Sequence, residues 1–236
     1  MIKRLSTFIP ATIALVICFF AIQTNAATFE EARIYFEYNS TDNDLGVHIF
    51  LDGEDWKSLE IINPVGNTVF QVEGKGPYAQ LGLTELFFEG AEPTLDEFPL
   101  EELLKLVPPG DYTLIGTTTD DEPIEGTALL THAVPAGPEV SVETGINGVT
   151  IMWEAVSEIA PGFPDEPIAI IGYEIILVKI RPKPGLVFDA HLPATATQIT
   201  IPPELIESGG EYKFEVLVKE KSSNQTITEN GFKVEK

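Results

Sequence analysis

The chain has 236 residues, with 37 Asp and Glu against 14 Lys and Arg, and the resulting negative surface repels nucleic-acid phosphates and anionic membranes. Hydrophobic residues make up 44% and aromatic residues 9%, enough for a packed core and too many for a disordered chain. One cysteine rules out an internal disulfide framework.

Residues 1–26 read as a secretory signal peptide. Lys3 and Arg4 precede an almost wholly apolar run from Phe8 to Ile22, and Thr24, Asn25 and Ala26 offer small residues for cleavage. The run is short for a membrane span of about 20 residues. The expected mature chain is exported, periplasmic or secreted, with no membrane span. Cys18 leaves with the leader, so the mature chain has no thiol and no Cys-based zinc site. Loss of Lys3 and Arg4 leaves a net charge of −25, of which residues 27–135 carry −18 and residues 136–236 carry −7.

The first half, 27–134, reads as a β-sandwich with a short helical insertion at about 81–108. Residues 32–38 form a β-rich run, and the turn formers at 39–44 follow. In 46–52, Val47, Ile49 and Leu51 alternate with His48 and Phe50, and residues 52–55 read as the turn that closes this strand. Segments 58–63 and 68–72 flank residues 64–67 as a hairpin. The apolar patch 83–88 has no clear period. Leu100, Leu103, Leu104 and Val107 then fall on one face of a helix that starts after Pro99 and stops at Pro108, Pro109 and Gly110. Strands resume at 112–115 and 127–130 around a turn at 120–123. Asn39, Asp42 to Gly46, Phe50 to Asp52 with Trp56, Gly82 to Phe87, and Leu130 to His132 resemble a family of secreted bacterial proteins. That resemblance implies no activity.

Residues 135–138 read as a Pro/Gly linker. Beyond it, Val149, Ile151 and Trp153 alternate with Thr150 and Met152, the period of a half-buried strand. Strand-like runs also occur at 138–142, 171–178, 197–201, 211–216 and towards Phe232 and Val234. With Trp153 on the second strand, Tyr173 on the third and Tyr212 on the sixth, residues 139–236 resemble a fibronectin type III domain. The resemblance implies a core tryptophan at Trp153 and a tyrosine corner at Tyr212, whose hydroxyl ties back to upstream backbone. The long acidic, Pro-rich loop 157–167 departs from that family, and no Arg-Gly-Asp occurs. Independently of the family, Trp153, Tyr173 and Phe214 are bulky enough to fill the space between two sheets. The expected architecture is therefore all-β, with two tandem Ig-like or fibronectin type III-like sandwiches.

No pattern of residues announces catalysis. The mature chain lacks a cysteine nucleophile and a Gly-x-Ser-x-Gly elbow, and His48, His132 and His191 show no pairing pattern. Paired carboxylates for glycoside hydrolysis are plentiful, but so acidic a chain places many acids near one another by chance. Calcium is the sharper idea. Asp42, Asn43, Asp44, Asp52, Glu54 and Asp55 offer hard oxygen ligands. The EF-hand spacing fails, and Asx-type turns are the simpler use of these residues. Trp56, Tyr78, Phe87 and Phe88 would stack on sugars if exposed, although aromatics in a small β domain are usually core. The sequons at Asn39 and Asn224 receive no role beside a bacterial-type leader. The composite expectation is a non-enzymatic binding or scaffold module without a cofactor, acting on a protein or surface polymer of the cell envelope. The alternatives are a carbohydrate- or calcium-binding accessory module and, behind them, a hydrolase.

Overall fold

The computed structural model describes residues 27–235; the expected signal peptide and Cys18 lie outside them. The first half opens with β1 (Ala27–Asn39) and β2 (Asp44–Ile62), an antiparallel hairpin registered from Asn39↔Asp44 back to Phe29↔Gly53. β3 (Thr68–Glu73), α1 (Pro77–Leu81), β4 (Leu83–Glu89), α2 (Leu100–Leu106), β5 (Gly110–Thr118) and β6 (Pro123–Leu130) follow.

Residues 52–55 are not the expected turn. β2 runs through them for 19 residues because it serves both layers of the sandwich. Its first part pairs with β1 and β4, and its last part pairs with β3 and β5. The ladder to β4 slips between Asp52 and Trp56, and the ladder to β1 slips between Phe29 and Glu31; such irregularities bend a strand from one layer to another. Gly53 sits at this corner, where a Cβ would stand 3.2 Å from the Cα of Phe29. A second corner joins β1 to β6 through the parallel pair Ala27↔Ile124. Phe36, Leu51, Trp56, Ile61, Leu114 and Leu130 fill the space between the layers. In the segment expected to be a helical insertion, residues 83–89 are strand, since β4 has a partner in β2 that periodicity cannot reveal. α2 matches its periodicity: Leu103 is buried, with Leu100, Leu104 and Val107 packed against the same core.

The second half holds β7 (Val140–Gly145), β8 (Gly148–Trp153), β9 (Ile170–Arg181), β10 (Gly185–Pro193), β11 (Gln198–Ile201), β12 (Glu211–Glu220) and β13 (Gln225–Lys233). One layer is β11-β8-β7 and the other is β10-β9-β12-β13, a fibronectin type III-like sandwich. Trp153, Tyr173, Tyr212 and Phe214 are all buried between the layers, with the Trp153 and Tyr173 rings 5.3 Å apart. Tyr212 stacks on Phe232, and its hydroxyl accepts the Glu207 backbone N–H at 2.7 Å. β10 has no counterpart in the sequence reading. It is an edge strand in which Phe188, Ala190 and Leu192 alternate with the exposed Asp189 and His191, and Phe188 and Leu192 pack against the second core.

The halves have separate cores, but one hydrogen-bonded sheet crosses the junction. β13 pairs in parallel with β1 from Glu37↔Gln225 to Asn39↔Ile227. Asn224 is completely buried beside this ladder. Its carbonyl oxygen accepts the Phe36 N–H at 2.8 Å, and its amide donates to the Thr131 and Ala133 carbonyls. The loop 157–167 folds back over the first half. Ala160 and Phe163 are part of the first core, and Phe163 packs on Tyr38. Ala160 also donates its N–H to the Val134 carbonyl, and Ala136 donates to Glu158. Residues 135–138 are thus held from both sides.

Candidate functional site

The alternation of β1 and β2 builds two faces. Ile34, Phe36, Val47 and Ile49 point into the core. Arg33, Tyr35, Glu37, His48 and Phe50 fall on the opposite face, where the register sets Tyr35 against His48 and Arg33 against Phe50. β4 continues the face by placing Phe87 opposite Phe50 and Glu89 opposite His48.

Three groups converge here. His48 is only 4% exposed, with its ring held between Tyr35 (5.2 Å) and the edge of Phe87 (5.9 Å). Its Nε2 lies 3.4 Å from Glu92 Oε1 and 3.9 Å from Glu37 Oε1. Glu92 reaches this point over Gly46, where a Cβ would stand 2.5 Å from Glu92 Oε1. The other oxygen of Glu37 accepts the side-chain amide of Gln225. Burial raises the Glu37 carboxyl above its ordinary value; His48 and the Gln225 amide oppose the shift, while Glu92 and Glu89 add to it. Among the described residues, no Lys or Arg forms an ion pair with Glu37 or Glu92. Burial likewise raises Tyr35, with Arg33 opposing and Glu37, Glu174 and Glu89 reinforcing.

A second group lies on the outer side of β9 and β10. Glu174, Asp189 and His191 converge, with His191 Nδ1 3.7 Å from Glu174 Oε2. Lys219 already pairs with this Glu174 oxygen, which leaves less uncompensated charge than at Glu37 and Glu92.

The residues singled out for calcium are not brought together. Asp42, Asn43 and Asp44 sit at the β1–β2 turn, where Asn39 Oδ1 accepts the N–H groups of Thr41 and Asp42 and Asn43 adopts φ 55°. These are Asx-turn contacts. Asp52, Glu54 and Asp55 lie eight and more residues further along β2, about 26 Å away by strand rise, and Asp55 accepts the Thr119 hydroxyl.

The proposed stacking aromatics also separate. Trp56 is 0% exposed and belongs to the core, so it cannot meet a sugar. Tyr78 stands exposed on α1. Phe87 (55% exposed) and Phe88 (37% exposed) point to opposite faces of β4, Phe87 towards His48 and Phe88 towards Phe70. The four do not form one row.

Glu37 and Glu92 escaped the sequence reading. The missing signal was register: once the hairpin is fixed at Asn39↔Asp44, counting back places Tyr35 opposite His48 and Glu37 one diagonal away.

No family model matches the chain, and no curated protein matches it. Among solved structures it is similar to the FN1-FN3 domains of chicken CNTN1, at 11% identity and TM-score 0.37, over 89% of this chain and 65% of that one. It is also similar to a two fibronectin type-III domain segment from chicken tenascin, at 13% identity and TM-score 0.31, over 87% of this chain and 99% of that one. A third is the BSP domain of a biofilm associated protein, at 13% identity and TM-score 0.27, over 89% of this chain and 30% of that one.

Proposed function

We propose that the protein is exported and serves, once its leader is removed, as a rigid two-module binding or scaffold element for a protein or surface polymer of the cell envelope, without turning over a substrate. The leader-like residues 1–26 support export. The observation that carries the binding role is the joint. Through β13–β1, the strands β10-β9-β12-β13-β1-β2-β4 form one hydrogen-bonded path, and both modules present a single outer face. A face spanning two modules needs no ordering when a partner arrives, which lowers the entropy lost on binding.

A photo-crosslinking residue placed at Phe87 or at Lys213 tests this against a control at Glu143 on the opposite layer. Envelope and medium of the source organism should yield the same product from both face positions and none from Glu143. Products from Glu143 alone, or catalytic turnover by the purified protein, would overturn the reading. N-terminal sequencing of the exported protein should begin at Ala27.

A further inference from the structure

We propose that Glu37, His48 and Glu92 form a three-ligand site for a divalent first-row transition cation of zinc's class, with the remaining coordination position open to water. This goes beyond the binding role and does not depend on it.

The first argument is spacing. Ligands bound at zinc's distances of about 2.0–2.2 Å stand about 3.3–3.6 Å apart around a tetrahedron. His48 Nε2 and Glu92 Oε1 are 3.4 Å apart, and Glu37 Oε1 lies 3.9 Å from the same nitrogen, a small movement from that edge. All three donor atoms lie within 4.8 Å of one another.

The second argument is that the same distances are poor for the competing arrangement, a protonated imidazole shared by two carboxylates. A charge-assisted N–H···O bond settles near 2.7–2.9 Å, whereas one of these contacts is long and the other lies outside hydrogen-bond range. Nε2 belongs to a nearly fully buried ring, and among the described residues no acceptor stands closer to it than Glu92 Oε1.

The third argument is support around the ligands. Gln225 holds the free oxygen of Glu37, the kind of outer contact that orients a metal-binding carboxylate, and the β1–β13 ladder sets Gln225 directly opposite Glu37. Tyr35 and Phe87 fix the imidazole plane. Gly46 leaves the space that Glu92 enters. One imidazole with two carboxylates suits zinc and its neighbours, whereas calcium and magnesium prefer oxygen donors alone.

The test titrates chelator-treated protein with Zn²⁺ and with Co²⁺ by calorimetry, visible absorption and thermal melting. So acidic a chain attracts any dication weakly, so the controls must separate the site from the field. The expected result is one zinc per chain, a raised melting temperature, and a visible Co²⁺ band that zinc displaces. His48→Gln and Glu92→Gln should each weaken zinc at least tenfold. Asp42→Asn, which removes the same charge elsewhere, and His191→Ala, which removes the second cluster's imidazole, should change it less than threefold. Should His48→Gln fail to fold, Glu92→Gln carries the test, since that side chain is one-third exposed. Equal zinc affinity in the parent and Glu92→Gln, loss of binding in His191→Ala instead, or a Co²⁺ spectrum no different from the free ion would overturn the proposal.

Discussion

The two halves close a sandwich in different ways. In the second half every strand stays in one layer, and the layers β11-β8-β7 and β10-β9-β12-β13 meet only through side chains. In the first half β2 belongs to both layers, and β1 reaches across to β6 at its start. Each core centres on one of the chain's two tryptophans, Trp153 in the second and Trp56 in the first. The difference teaches that a core aromatic can mark a strand held within one layer or the corner at which a strand changes layers. It also shows where the halves depend on one another: the first core is completed by Ala160 and Phe163, which the chain supplies only after β8.

The largest effects should come from the tryptophans. Trp56→Ala and Trp153→Ala should each cost about 3–5 kcal/mol, and each variant keeps the other indole as a fluorescent reporter of the opposite half. If the joint couples the halves, the remaining indole unfolds at lower urea in both variants. An unchanged midpoint for the surviving reporter would mean that the halves unfold independently.

Phe163→Ala should cost about 3 kcal/mol and be felt by Trp56 although the residue follows Trp153 in the chain. A loss confined to the Trp153 signal would contradict the packing of loop 157–167. Asn224→Ala leaves the Phe36 N–H and two carbonyls without their buried partner, a loss of about 3 kcal/mol. Calorimetry should then show two transitions where the parent shows one. The complete burial of Asn224 also keeps its sequon out of reach in the folded protein.

A smaller effect concerns Glu37. Its folded-state carboxyl lies above the ordinary 4.5, so the folded protein holds that proton more tightly than the unfolded chain does. The stability this supplies is fully present below about pH 4.5 and is lost as the pH rises through the folded-state value. With chelator present, Glu37→Gln should therefore be more stable than the parent at pH 7, and the gap should close by about pH 4. Urea midpoints at the two pH values check the sign. Smallest of all, Phe87→Ala should change stability by no more than about 0.5 kcal/mol, because that ring is more than half exposed; a loss comparable to Trp56→Ala would place it in a core.

Much of this was readable before any tertiary contact was known, and the reason is local. Val149, Ile151 and Trp153 sit on a strand buried on one face, so their period is visible in the sequence; Leu100, Leu103, Leu104 and Val107 form a helical stripe for the same reason. The turn at 39–44 and the hairpin at 64–67 carry their own turn chemistry. β4 was missed because a strand paired to a bent neighbour lacks a uniform inside and outside, whereas β10 carries a readable alternation only over Phe188 to Leu192, after the register slips between Leu186 and Phe188. Residues 52–55 were read as a turn because Asp, Gly, Glu and Asp favour one in isolation, and the pairing of β2 with both layers overrides that preference.

Residue type and spacing alone determined an acidic all-β chain, a helix at α2, and the aromatic centre of the second sandwich, because each rests on periodicity or composition over a few neighbouring residues. Only the tertiary structure decided that β2 is shared, that loop 157–167 completes the first core, and that Asn224 locks the joint. It also brought Glu37, His48 and Glu92 to one point, with Gln225 behind them from nearly 190 positions away. Those outcomes depend on register and on contacts between distant segments, which no short window of sequence contains.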